Sequence, residues 1–361
     1  MRIDLEPRGG RSRLLEVLAP FAALVLAMAI GGLVVALLGK SPLQAFQVYF
    51  VEPLSDSISL QELAVKASPL VIIAVGLTFC FRANFWNIGA EGQFVVGGAL
   101  GGWLAIATQG KGWDGAAGAW ILPAMLALGA LGGLLYALIP ALLRVWLGVS
   151  EILTSLMLVY VAELGLDYMV RGPWKDPKGF NFPVTVSFDD SALLPHLFVG
   201  ARLHLGVGIA LVCVVVAAIV FSKTLFGYEV RLVGLAPRAA RFAGFSDKKL
   251  TLAVFAISGA LAGLAGICEV AGQIEHLNPS ISSGYGFTAI IVAFLGRLSP
   301  VGILVAGLVL AVTYIGGEGA QIAMKIPQDM TRAFQGILLM CVLGADVFTR
   351  YKVRLVTEGK P

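Results

Sequence analysis

Apolar runs of membrane-spanning length recur along almost the whole chain, broken by short polar segments. The first covers 18–38. Others follow at 60–81, from 94 to 107, and at 120–142, 150–169, 205–221, 251–270, 287–295, 301–315 and 332–348. Crossing the hydrocarbon core takes ~20 mainly apolar residues in a helix, so the pattern predicts ten spans, the eighth of them short. The first run is too long for a signal-peptide core and lacks a convincing cleavage site, so it reads as a span. Pro69 predicts a kink in the second, and Lys66 stands near its outer end. The longest outer segment, 171–202, holds Pro173, Pro177, Pro183 and Pro195 with Trp174, Phe180 and Phe182, and predicts an ordered extracytoplasmic cap. The segments 39–59, 271–286 and 316–331 read as shorter outer connections.

Composition closes off the alternatives. The chain has 361 residues, 58% of them hydrophobic and 13% charged, with a mean hydropathy of +0.87. Soluble domains are about a quarter charged, so the whole of 1–361 reads as one membrane domain. Most of the 26 Lys and Arg lie in the two tails and in the 222–250 loop. By the positive-inside tendency these face the cytoplasm, as do both termini. The net charge of +4 gives no reason to invoke nucleic acid, because the cations cluster at span ends. The predicted fold is therefore an all-α polytopic membrane protein of about ten transmembrane helices. They divide five and five around 222–250. An odd number per half makes two similar halves inverted with respect to each other, a pseudo-repeat.

Candidate chemistry is sparse. Cys80, Cys213, Cys268 and Cys341 are scattered within spans as apolar fillers, and His196, His204 and His276 are dispersed, so no metal site is expected. Gly39, Lys40 and Ser41 resemble the end of a phosphate-binding loop. The first glycine of that motif would stand at 34, which is Val34, so no nucleotide site is read here. No catalytic arrangement is evident. Glycine pairs four apart (Gly97/Gly101, Gly98/Gly102, Gly129/Gly133, Gly259/Gly263) predict close helix packing. Among ionisable residues in spans, Glu163 stands out, because a charge at mid-bilayer costs ~2.5 kcal/mol or more and faces protein or water. Glu91, Glu151 and Glu269 lie nearer the boundaries, where capping or snorkelling would equally explain them. Asn87 is a plausible N-cap for the third span. The 222–250 loop has six cations against two anions. Within it, Pro237 suits a first helical position and Gly244 a terminator, which predicts a short helix. Such a loop either docks a soluble partner or merely fixes orientation.

Four stretches carry a family resemblance. NIGAEGQF over 87–94 resembles the signature of bacterial ABC permeases for branched-chain amino acids, simple sugars and nucleosides. GYEVRLVGLAPRAARFAG over 227–244 resembles the coupling-helix loop of that family. SEILTSLM over 150–157 and GYGFTAIIVAFLGR over 284–297 are most similar to its nucleoside branch. Ala236 and Ser150 stand where the family often has Asn. The resemblance covers essentially all of the chain after the first span. It implies a permease subunit of an ATP-driven importer in the bacterial inner membrane, without catalytic residues or a cofactor of its own. It also implies a second related permease, separate ATPase subunits that use the ATP, and an extracytoplasmic substrate-binding protein or lipoprotein. Arg231, Pro237, Arg238, Ala239, Ala240, Arg241 and Gly244 would form the ATPase-coupling element. Asn87, Glu91, Gln93, Glu151, Thr154, Glu163 and Thr288 would line the path of a neutral, hydroxyl-rich solute, a nucleoside above all. A simple-sugar or branched-chain amino-acid permease is the alternative within the class. A secondary transporter or channel working without ATPase subunits, and a membrane scaffold, are the alternatives outside it.

Overall fold

The computed structural model describes residues 2–7, 13–111, 118–198, 200 and 202–356. In chain order the elements are β1 (Arg2–Pro7), α1 (Arg13–Leu37), α2 (Pro42–Phe46), α3 (Ser57–Arg82), α4 (Ala90–Thr108), α5 (Ile121–Leu147), α6 (Glu151–Arg171) and α7 (Leu205–Lys223). There follow α8 (Leu225–Leu235), α9 (Pro237–Phe242), α10 (Asp247–Glu269), α11 (Tyr285–Leu295), α12 (Pro300–Met324), α13 (Gln328–Arg350) and β2 (Tyr351–Val356). A helix covers each of the ten apolar runs. Among the described residues, six helical segments are long and apolar enough to cross a membrane: Ser57–Arg82, Gly118–Leu147, Glu151–Arg171, Leu205–Lys223, Asp247–Ile274 and Pro300–Met324. Phe21–Leu37 and Tyr285–Leu295 are shorter apolar helical stretches.

Three details differ from the pattern. Hydropathy ends the ninth run at 315, yet α12 continues through Met324. Its polar continuation lacks proline, and Gly316 and Gly317 lie against the Tyr49 backbone and the Thr331 side chain. Glycine there serves close approach rather than termination. The 39–59 segment is not a plain connector: α2 is followed by a π-helical turn, Gln47–Val51, and a 3-10 turn, Glu52–Leu54. The helix α8, ahead of the expected α9, was not legible as a separate element. Thr224 caps it, its hydroxyl accepting the Gly227 N–H at 3.2 Å.

By compactness the chain divides into two units, 60–311 and 1–59 with 312–361. The first unit is organised on α4, α5 and α10. Here the glycine pairs do what their spacing suggests. At Gly133 a side chain would run into the Gly259 carbonyl and the Gly263 backbone, and at Gly263 into the Gly129 carbonyl. Backbones this close gain dispersion contacts that lipid cannot replace.

The described part of the 171–202 segment forms an ordered cap. Thr185 N–H donates to the Leu277 carbonyl (2.9 Å), Phe188 N–H to Glu275 (2.8 Å) and Leu194 N–H to Ala271 (2.9 Å). The order comes from these backbone ties, with Phe188 buried and Trp174 half-buried, whereas Phe180 is 93% exposed and Phe182 67%. His204 closes the segment as the N-cap of α7, its Nδ1 accepting the Gly206 N–H at 3.1 Å. Burial, with His196 nearby, pushes this imidazole down to about 4.

In the second unit α1 packs with α13. Tyr49 Oη and Thr331 Oγ1 lie 3.1 Å apart, and Gln335 donates to Thr313 Oγ1 at 3.3 Å. Met28, Gly32, Phe46, Phe50, Met330 and Phe334 line an apolar cavity. β1 and β2 pair antiparallel, from Arg2↔Val356 to Pro7↔Tyr351, a small addition to the all-α expectation.

Candidate functional site

The polar start of α4 was the first expected site, and there the structure builds a closed knot of neutral side chains. Asn87 is not the N-cap; Gly89 holds that position. Asn87 Oδ1 instead accepts the Gly89 N–H at 3.1 Å, a local turn of the kind asparagine favours just ahead of a helix. The Asn87 and Gln93 amides bond reciprocally, Nδ2 to Oε1 and Nε2 to Oδ1, each at 2.9 Å. Asn87 Nδ2 also donates to Ser258 Oγ on α10, at 3.0 Å. All three residues are buried. Ser258 stands directly before the Gly259/Gly263 pair, and with its partner 171 positions away nothing local in the sequence ties it to Asn87. Gly89 lies so close to α6 that a side chain would strike Ser155, and this approach lets Ser155 Oγ accept the Ile88 N–H at 3.2 Å.

Glu91 reaches a different neighbour. Its Oε2 accepts the Gly286 N–H at 2.5 Å, within the first turn of α11. That is where an anion is favoured, since the first N–H groups of a helix have no internal acceptor. A side chain at Gly286 would overlap the Glu91 backbone, so glycine permits the contact. Thr288 is buried on the next residues of α11, and Glu163, half-buried on α6, lies within electrostatic reach of Glu91.

The other two path candidates sit apart. Glu151, in the first turn of α6, forms an ion pair with Arg144 of α5, and its Oε1 accepts the Trp86 N–H at 3.4 Å. The Arg144 guanidinium also lies over the Phe85 ring, 4.8 Å from its centre. Glu151 therefore staples two helices to the 82–89 turn. The Thr154 hydroxyl is returned to its own helix, bonding the Ser150 carbonyl at 2.9 Å.

A second cluster escaped the sequence reading. Lys66 of α3 donates to Tyr285 Oη at 3.2 Å, and Tyr285 Oη donates to Glu269 Oε1 at 3.1 Å. Lys66 Nζ and Glu269 Oε1 lie 3.9 Å apart. The Tyr285 ring also packs on Phe94, centroids 5.7 Å apart. Tyr285 lay inside a quoted motif and Glu269 was among the boundary acids, but only the fold joins them to Lys66. Among the described residues, no group of three or more His, Cys, Asp or Glu could hold a metal ion.

The 222–250 loop presents a separate face. Pro237 opens α9, and Gly244, at φ +85°, follows its end. Arg231, Arg238, Ala239 and Arg241 are exposed, whereas Ala240 is buried. Arg241 Nε lies 2.6 Å from Asp247 Oδ2, which ties the end of α9 to the start of α10. Phe242 is 95% exposed beside these cations, an apolar side chain on a surface turn.

Several helices of membrane-spanning length and composition, with neutral polar groups buried among them, define a multi-pass membrane protein. Residues 59–343 match the family described as the branched-chain amino acid transport system / permease component, and the chain belongs to that family. Over its full length it is 35% identical to a glucose ABC transporter permease protein of Haloferax volcanii, covering 96% of that protein. It is 29% identical to a guanosine ABC transporter permease protein of Bacillus subtilis, over 95% of this chain and 96% of that one. A nucleoside ABC transporter permease protein of Lactococcus lactis is also 29% identical, over 84% of each. No solved structure matches. Membership implies ATPase and substrate-binding partners and a membrane setting.

Proposed function

We propose that this chain is the transmembrane subunit of an ATP-driven importer for a neutral solute carrying a sugar ring, a nucleoside in the first instance. The observation that carries the reading is the chemistry at the start of α4: reciprocal amides and a hydroxyl rather than an open cage of charge. An import path must release what it binds, and weak neutral hydrogen bonds suit a hydroxyl-rich solute. Asn87, Glu91, Gln93, Glu163 and Thr288 then border the path. Glu151 and Thr154, tied to Arg144 and to their own helix, hold its walls. A simple sugar is the second reading, favoured by the likeness to the glucose permease. The two substrates share a polyhydroxylated ring.

The α8–α9 loop is the coupling element for a separate ATPase, and the ATP is bound and hydrolysed there. Its exposed cations and Phe242 support this reading. Ten crossings with both termini cytoplasmic, and two inverted halves, complete the proposal, along with a second related permease. The β1–β2 ladder supports an even number of crossings, because hydrogen-bonded ends must lie on one side of a bilayer.

The test is uptake of labelled guanosine and glucose by proteoliposomes holding the whole assembly, with and without ATP. Saturable, ATP-dependent uptake of guanosine supports the first reading, and of glucose alone the second. Uptake indifferent to ATP, and to Arg238→Glu with Arg241→Glu, would make the protein a secondary transporter.

A further inference from the structure

The cluster on α3, α10 and α11 is not among the path residues proposed above, yet it joins a buried carboxylate and a buried tyrosine to a partly open lysine. Glu269 is 3% exposed and Tyr285 1%, whereas a fifth of the Lys66 side chain is open. An ammonium has three N–H donors. One is given to Tyr285 Oη, and the nitrogen lies 3.9 Å from Glu269 Oε1, which leaves donor capacity for the open side. A charged group among membrane helices faces protein or a water-filled cavity, and a fifth of the Lys66 side chain is left uncovered by the described residues.

Its position gives this access a direction. One turn earlier on α3, Glu62 pairs with Arg202 of the extracytoplasmic cap, and Gln61 accepts the Arg202 N–H at 2.9 Å. Four residues of helix place Lys66 about 6 Å further in. On its other side, Tyr285 directly precedes Gly286, whose N–H holds Glu91. Lys66 therefore stands between the cap and the Glu91 end of the proposed path.

We infer that Lys66 binds a ring hydroxyl of the incoming solute at the extracytoplasmic mouth of the path, with Glu269 and Tyr285 holding its ammonium in place. The inference rests on the importer reading above and assigns a residue to its entrance. The chemistry suits a neutral solute. The ammonium is a strong donor to a hydroxyl oxygen, while the adjacent carboxylate balances its charge and keeps the mouth from trapping anions.

The test uses the assembled importer in proteoliposomes, with guanosine and 2′,3′-dideoxyguanosine as probes. Lys66→Met should raise KM for guanosine about tenfold, the scale of a lost hydrogen bond to a charged group. KM for the dideoxy analogue should stay within about twofold, since that analogue lacks the hydroxyls. Lys66→Arg should restore most of the guanosine affinity. If Lys66→Met does not assemble, Lys66→Gln reads the same ratio at smaller amplitude. Should only glucose be transported, glucose and 2-deoxyglucose replace the nucleosides. An equal rise for both probes, or a fall in maximal rate with KM unchanged, would show that Lys66 only ties helices together and would overturn the inference. A wild-type assembly with no ATP-dependent uptake of any probe overturns the importer reading itself, which the Lys66 ratio alone cannot do.

Discussion

The two polar clusters of the 60–311 unit solve the same problem in opposite ways. The Asn87–Gln93–Ser258 knot is neutral, and its two amides satisfy each other face to face. The Lys66–Tyr285–Glu269 cluster is charged, with a hydroxyl between its ions and one member still reaching solvent. A closed neutral knot fixes geometry and can give up one bond at modest cost. A buried ion pair stakes more on each partner, because removing one leaves the other as an uncompensated charge. The knot is closed on itself, whereas the charged cluster keeps one donor-bearing side chain partly open.

The largest effect should come from breaking the charged cluster. Glu269→Ala should destabilise by about 3–5 kcal/mol, toward the lower end because Lys66 is partly exposed. Thermal unfolding in lipid nanodiscs measures this, and Glu269→Gln should cost visibly less. If the two variants melt alike, the pair is not compensating charge. Asn87→Ala strands the Gln93 amide and the Gly89 N–H. It should cost about 1–3 kcal/mol, with part of the loss regained by adding Gln93→Leu. A fully additive double variant would deny the reciprocal knot.

Acidification should act more locally. The folded His204 titrates near 4 against an ordinary 6.5, so the unfolded cap binds the proton first. The stability His204 lends as a neutral cap is complete above about 6.5 and lost as pH falls toward 4. Hydrogen exchange at Gly206 should quicken across that window, and His204→Asn, which caps without titrating there, should flatten the change. The smallest effect on stability is expected at Phe242. At 95% exposure, Phe242→Ala should leave the melting temperature unchanged. If the coupling reading holds, it should still weaken ATPase stimulation in the assembly. A shift in melting without a loss of stimulation would contradict both expectations.

Much of the helical layout was legible because it depends on local signals: long apolar runs, Pro237 before α9, Gly244 after it, and glycines four apart. Where those signals were weak the reading failed. No proline ends α12 at 315, and nothing in the wording ahead of Pro237 marks α8 as a helix of its own. The site was legible at one end only. Asn87, Glu91 and Gln93 share a short polar run, so their clustering showed in the sequence, although Asn87 took a different role from the N-cap expected. Lys66, Ser258 and Glu269 each looked like boundary or packing residues, because what they touch lies in other helices. A hydrogen bond across 219 positions, such as Lys66 to Tyr285, leaves no periodic trace.

The pairing of α1 with α13 and of β1 with β2 carries a consequence for how the chain is made. A ribosome delivers α1 just ahead of the 60–311 unit and α13 only after it, so the 1–59/312–361 unit can close only late in synthesis. Until then the face of α1 that packs on α13 must be sheltered by lipid or by an insertion factor. A product cut short before α13 would leave both α1 and β1 without the partners they have in the finished chain.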